Sequence, residues 1–224
     1  MTGAPAPAVA RLSPWVLALG RQIGLRPAVV AAEDLPASRA LLHEVYVQEL
    51  GWAPPPGNPS GLRVVADPTP QLVDDLDDRA IWLSIHAGTT LIATLRVIPP
   101  GPEGLELTRY LDVPAALLDG AMEVNRLAIR RGHRGGATFA LVALLLRQVA
   151  QTLGAPRALL AAERPLAHRL YRPLGWQYTG LEFRYHPDDP HPCELLALES
   201  AGAHLAVSLT RTILRAATRA ARRT

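Results

Sequence analysis

The sequence predicts an α/β domain: a mixed central β-sheet flanked by helices. Three observations carry that prediction. Alternating apolar runs and runs with helical spacing follow one another as strand, helix, three strands, helix, strand, helix, two strands. A glycine-rich turn, Arg131-Gly132-His133-Arg134-Gly135-Gly136-Ala137, joins one alternating run to a nearly all-apolar helical one. Hydrophobic residues make up 49% of the 224, ample for a sizeable core.

Residues 1–10 are rich in Ala and Pro, and we expect no regular structure there. Arg11 to Gly24 reads as a short helix, with Ser13 as its cap and Pro14 at its first position. Arg26 to Ala32 alternates as a strand. Asp34 to Gly51 keeps helical spacing through Leu35, Leu41, Leu42, Val45, Tyr46 and Leu50. Residues 53–73, with Pro54-Pro55-Pro56-Gly57 and Asn58-Pro59, read as one long loop. The acidic residues Asp74, Asp75, Asp77 and Asp78 follow, expected as a solvated run beside that loop. A hairpin then runs from Ala80 to His86 and from Leu91 to Ile98.

Leu111 to Leu118 suggests a short helix. Glu123 to Arg130 is a strand, Ala137 to Leu153 a helix buried on several sides, and Pro156 to Ala162 a strand. Pro165 opens a helix that carries Tyr171. Trp176 to Tyr185 and Cys193 to Leu198 form a terminal strand pair. From Gly202 a basic amphipathic helix has Arg211, Arg215, Arg219 and Arg222 on one face. We divide the chain into an N-terminal extension (1–25), a central domain (26–199) and a basic C-terminal helix (200–224).

Composition narrows the function classes. The net charge is +3, and every basic residue other than histidine is arginine. That excess suits an acidic partner and is too small to argue for nucleic acid. A single cysteine, Cys193, excludes an intrachain disulfide and a cysteine-based zinc cluster. The histidines lack metal-ligand spacing, so no metal is expected, and no catalytic triad is visible. The N-terminus lacks the charged start of a signal peptide, and the longest apolar run, Ala137 to Leu146, is short for a bilayer span. A cytoplasmic protein is the expectation, with the C-terminal helix either on a membrane surface or packed on the domain.

The glycine turn carries the clearest chemistry. Glycines between a strand and a helix let backbone N–H groups approach an anion, and the helix end adds partial positive charge. Arginines at the same place can pair with phosphate. An ordinary tight turn with solvated arginines is the alternative.

Together with the element order, this loop resembles the phosphate-binding loop of the GNAT acyltransferase superfamily. Arg134-Gly135-Gly136-Ala137-Thr138-Phe139 lies over the Arg-Gly-x-Gly-x-Gly/Ala consensus, with Ala137 and Phe139 in place of the last two small positions. Tyr171-Arg172-Pro173-Leu174-Gly175-Trp176 is similar to the GNAT segment in which a tyrosine precedes Gly-Phe. Three further motifs, in order, are similar to acyl-homoserine lactone synthases and long-chain N-acyl amino acid synthases. They are Tyr46 ahead of Leu50-Gly51-Trp52, Leu95-Arg96-Val97-Ile98-Pro99, and Glu123-Val124-Asn125-Arg126. Lactone synthases place an arginine four residues before the helix aromatic, where this chain has Leu42. The stretch from His186 to Pro192 before a last apolar strand looks more like the amino acid synthases.

The resemblance implies a GNAT fold and an N-acyltransferase. The donor would be an acyl thioester, of acyl carrier protein or of coenzyme A, and the acceptor the α-amine of an amino acid or related small amine. The alternatives are an acetyl-CoA-dependent N-acetyltransferase and an inactive scaffold that only binds. By the same resemblance Tyr171 would protonate the departing thiolate; a tyrosine packed under the sheet is the alternative. Glu123 takes the amine's proton, or else is the ion-pair partner of Arg126. Backbone N–H groups of Leu127, Ala128 and Ile129 would polarise the thioester carbonyl. Arg131, Arg134, Gly135, Gly136, Ala137 and Thr138 would hold the donor phosphates. Arg96 and Arg126 would hold the acceptor carboxylate or order the entrance, with Tyr46 and Trp52 lining the substrate site. Asp75, Asp77 or Asp78 could instead attract the acceptor's ammonium group.

Overall fold

Pro14 lacks an N–H and has a φ suited to a helix start, and α1 (Pro14–Gln22) begins there. The computed structural model describes residues 11–66, 68–186 and 189–199. The expected C-terminal helix lies outside them, as does the stretch 1–10. Ser13 does not cap α1 with its side chain. Its N–H and hydroxyl both meet Gln148 Oε1, at 2.9 and 3.0 Å, which ties the start of α1 to a later helix.

Strand β1 (Leu25–Val29) follows, then α2 (Leu35–His43), which passes into a π-helical turn at Glu44–Glu49. The stretch read as one long loop contains a two-stranded antiparallel ribbon, β2 (Arg63–Val65) and β3 (Gln71–Val73). Proline density hid these strands, which are three residues each. The hairpin β4 (Ile81–Ala87) and β5 (Thr90–Ile98) forms as expected. After α3 (Ala115–Leu118) come β6 (Met122–Ile129), α4 (Gly136–Leu153) and β7 (Arg157–Glu163). Helix α4 stops at Gly154, whose φ of +62° suits glycine. A short helical stretch then begins with α5 (Arg164–Leu166), continues through a π-helical turn at Ala167–Tyr171 and a 3-10 turn at Arg172–Leu174, and leads into β8 (Gln177–Phe183) and β9 (Cys193–Glu199).

The main sheet has seven strands in the order β1-β4-β5-β6-β7-β9-β8. All pairs are antiparallel except β6 and β7. One face is mainly apolar: Leu83, Leu95, Val97, Val124 and Leu160 pack under Leu141, Leu145 and Val149 of α4 and Val16 of α1. Alternation along each strand sends the other residues to the opposite face. There, two smaller apolar groups stand apart. Leu41, Leu42 and Val45 cover Trp82, Leu72 and Ala128 at one end, and Leu105, Leu107 and Val113 cover Leu159 and Leu195 at the other.

Two irregularities shape the middle of the sheet. First, the parallel pairing of β6 with β7 covers only Met122 with Ala158 and Glu123 with Leu159. Beyond Glu123 the strands splay, and the second half of β6 has no ladder partner on that side. Second, the register of β5 against β6 shifts between Thr94 and Arg96, with one extra residue on β6. Arg126 sits in this bulge with a φ of +54°, the one non-glycine residue with positive φ among those described.

Candidate active site

The bulge breaks strand alternation, so consecutive side chains reach the same carboxylate. Asn125 Nδ2 donates to Glu106 Oε2 at 2.7 Å, and Arg126 Nη2 donates to Glu106 Oε1 in a short bond at 2.5 Å. Arg126 Nη2 also meets Asp74 Oδ2 at 3.0 Å. Opposite Asn125 on β5, Arg96 is 0% exposed. Its Nε donates to Asn125 Oδ1 at 2.9 Å, Nη1 to Asp74 and Asp77, and Nη2 to Glu106. Its guanidinium lies 5.8 Å from the centre of the Trp82 ring. Arg39 of α2 adds an ion pair to Asp77 at 2.8 Å.

These partners revise two expectations. Asp74 and Asp77 are buried counter-ions of the arginines, and only Asp75 and Asp78 face solvent as a solvated run would. Arg96, fully buried and with four of its five N–H donors on Asn125, Asp74, Asp77 and Glu106, does not reach an acceptor carboxylate. Arg126 differs: its Nε is buried without a protein partner. Glu106 joins both arginines and Asn125 and escaped sequence reasoning altogether.

Glu123 is 1% exposed and does not pair with Arg126. Its Oε2 accepts the Leu107 N–H at 3.1 Å and its Oε1 accepts Asn125 Nδ2 at 3.0 Å. Burial and the nearby Glu106 carboxylate push its carboxyl up to about 7, against the opposing pull of the Leu107 N–H, Arg96 and Asn125. Burial also raises Asp74, but Arg96 and Arg126 outweigh it and bring that carboxyl down to about 2. One network therefore holds a permanently charged carboxylate and one poised to exchange a proton at neutral pH.

The splayed half of β6 supplies the backbone groups. Arg130 N–H bonds Ile92 O on β5, so alternation turns Leu127 and Ile129 toward the opening. Their carbonyls confirm this: Leu127 O accepts the Tyr46 hydroxyl at 3.2 Å, and Ile129 O accepts Arg134 Nε at 2.8 Å. The N–H groups of Leu127 and Ile129 thus point into the gap, whereas that of Ala128 turns toward β5. Tyr46 meets Trp52 edge-on at 6.1 Å, so these two residues come together beside β6. Tyr171 ends the π-helical turn that follows β7, packed against the core and edge-on to Trp176 at 6.2 Å. Burial, then the nearness of Tyr46, raises its hydroxyl well above the usual tyrosine range, so it keeps its proton.

At the end of β6, a 3-10 turn at Arg131–His133 leads to Gly135, the N-cap of α4. No side chain caps the first N–H groups of α4, at Gly136, Ala137 and Thr138. An added Cβ at Gly132 or Gly135 would meet nothing within 4 Å, so packing does not demand glycine there and the space beside the helix end is open. That fits an anion held by backbone N–H groups. Phe139 packs into the main core and leaves the loop clear. Arg131 is exposed. Arg134 forms a two-pronged pair with Glu49, at 2.5 and 2.7 Å, and Arg130 pairs with Glu44 at 2.6 Å.

No protein-family profile matches the chain, and no curated protein does. Solved structures do. The chain is similar to FeeM, an N-acyl amino acid synthase from uncultured soil microbes, at 17% identity and a TM-score of 0.58, covering 80% of this chain and 92% of that one. It is similar to MesI, a CoA-dependent acyl-homoserine lactone synthase, at 19% identity and a TM-score of 0.57, covering 86% and 95%. A third is a crystal structure of a protein described as a putative N-acetyltransferase from Lactobacillus plantarum, at 19% and 0.54, covering 79% and 98%. The chain therefore has the GNAT fold that the sequence motifs implied.

Proposed function

We propose that the protein is an N-acyltransferase. It moves an acyl group, fatty in our reading, from the thioester of coenzyme A or acyl carrier protein to the α-amine of an amino acid or a related small amine. The observation that carries this is the splay of β6 from β7. It leaves the Leu127 and Ile129 N–H groups facing a gap flanked by Tyr46 and Tyr171, with a proton acceptor of pKa about 7 in the same strand. The similarity to acyl-transferring enzymes supports the reading.

In this mechanism the thioester lies in the gap and its carbonyl oxygen takes hydrogen bonds from the β6 backbone. The acceptor amine attacks the carbonyl carbon, a C–N bond forms and the C–S bond breaks. The ammonium proton passes to Glu123 by way of a water beside Asn125, because the carboxylate itself is enclosed. Tyr171 gives its proton to the departing thiolate. The phosphates of the donor meet Arg131, the α4 N-terminus and Arg134.

Phosphate must compete with Glu49 for Arg134. Glu49→Gln should therefore lower the donor KM by about two- to fivefold, the worth of a half-exposed ion pair. Arg134→Ala should raise it. Steady-state kinetics at saturating acceptor check both, and equal KM values in all three proteins would refute the placement.

The test of function is a mass analysis of small molecules from bacteria expressing the protein, with Glu123→Gln and Tyr171→Phe alongside. New N-acylated amines that fade in both variants are expected, and their masses reveal acyl chain and acceptor together. Folded protein that binds coenzyme A and yields only acetylated products would favour the acetyltransferase reading. No product at all would mark a binding scaffold.

A further inference from the structure

We propose that Glu194 is the positioning residue for Tyr171. The inference rests on the acyltransferase reading for its catalytic consequence, but its geometry stands alone. On β9, Leu195 and Ala197 face the apolar group around Leu105, whereas Leu196 enters the core beneath α4. Glu194 shares the face of Leu196 and is 2% exposed, a carboxylate where alternation would place an apolar residue.

Both its oxygens are engaged, and all three partners come from the stretch that carries Tyr171. Oε1 takes Arg164 Nε at 3.1 Å and lies 3.3 Å from His168 Nε2; Oε2 takes Arg172 Nη2 at 2.8 Å. Positions 164, 168 and 172 are four apart, which puts them on one face of a helical stretch. Ala167 and Tyr171, also four apart, form the neighbouring face, where Ala167 is fully buried in the core and Tyr171 packs against it. Burial pushes the Glu194 carboxyl up, and the bonds from Arg172, His168 and Arg164 outweigh it, so the carboxylate is charged at neutral pH.

This stretch needs such a fastening. It has three α-helical residues, then a π-turn, then a 3-10 turn, and no regular ladder long enough to hold its own shape. The Tyr171 hydroxyl has no hydrogen bond to the protein among the described residues. Where the ring stands is set by the backbone under it, and that backbone is pinned along its length to one carboxylate. A buried carboxylate held by two arginines and a histidine is retained only while they stay in place.

The test is the full-length protein labelled with 3-fluorotyrosine, with the Tyr171 signal assigned from Tyr171→Phe. In Glu194→Gln the Tyr171 fluorine resonance should shift or broaden, whereas in Glu182→Gln, at the exposed partner of Arg164, it should not. With an alkyl thioester donor, kcat of Glu194→Gln should fall about 10- to 100-fold, a partial loss of the roughly 10²- to 10⁴-fold that a general acid contributes, with the acceptor KM unchanged. A phenyl thioester, whose thiolate leaves without a proton, should restore it. Glu194→Gln should cost nothing further on top of Tyr171→Phe. An unmoved Tyr171 resonance overturns the proposal. A moved resonance with Tyr171→Phe fully active supports the positioning and refutes instead the acid role of Tyr171. Should Glu194→Gln not fold, Arg172→Met removes a single pin and must move the same resonance.

Discussion

Arg96→Met should destabilise the protein by about 3–5 kcal/mol, the cost of breaking a buried ion pair from one side. Arg96 is the hub of the network: Asp74, Asp77 and Glu106 all receive its hydrogen bonds, and each is buried. Without it, Arg126 and Arg39 are the remaining cations for three buried carboxylates. In a domain of this size that loss corresponds to a drop of about 6–20 °C in the melting midpoint. The effect has a pH signature. The Asp74 carboxyl lies at about 2 in the folded protein against an ordinary 3.8, so its stabilising contribution is complete above pH 4 and disappears as pH falls toward 2. In the variant the carboxylates have lost their main partner and cost stability when charged. Acidification should therefore narrow the gap between native protein and variant. Thermal unfolding at pH 7 and pH 3 decides it; equal midpoints at pH 7, or a gap of the same size at both, would sink the account.

The same network shows what a sequence can and cannot disclose. The unit from Met122 to Glu163 was readable because its signals are local: alternation in β6, a glycine turn, and a helix apolar on most sides. Asp74 was readable in principle. It shares the inward alternation of Leu72 and Leu76, both buried, whereas Asp75 falls between them and faces water. The symmetry of Asp74-Asp75-Leu76-Asp77-Asp78 concealed that difference, and so did the two short ribbon strands ahead of it. Glu106 had no local signal, because its neighbours Leu105 and Leu107 are both buried and a 3-10 turn erases alternation. The bulge at Arg126 was equally silent. Arginine carries no preference for positive φ, and only the long-range pull of Asp74 and Glu106 keeps it there. Local periodicity thus disclosed β6, its glycine turn and α4, and long-range ionic contacts built the network around Arg96 and Arg126.

Turnover should switch off as Glu123 takes up a proton. With its carboxyl near 7, kcat/KM should lose about tenfold per pH unit below that value. Glu123→Gln should lower kcat by about 10²- to 10⁴-fold, the usual worth of a general base. The acceptor amine also titrates, so an acid limb alone does not identify the carboxylate. Asn125→Ala separates the two. Asn125 Nδ2 donates to Glu123 Oε1, a bond that favours the charged form. Removing it raises the Glu123 carboxyl further, and the acid limb should move to higher pH, whereas the free amine is unaffected by a change in the enzyme. A limb that stays in place in Asn125→Ala, or a Glu123→Gln enzyme that retains the native profile, would assign the titration to the acceptor. Glu123 would then be a buried brace for the Leu107 backbone, which its Oε2 already holds at 3.1 Å, and the amine would have to arrive without its proton.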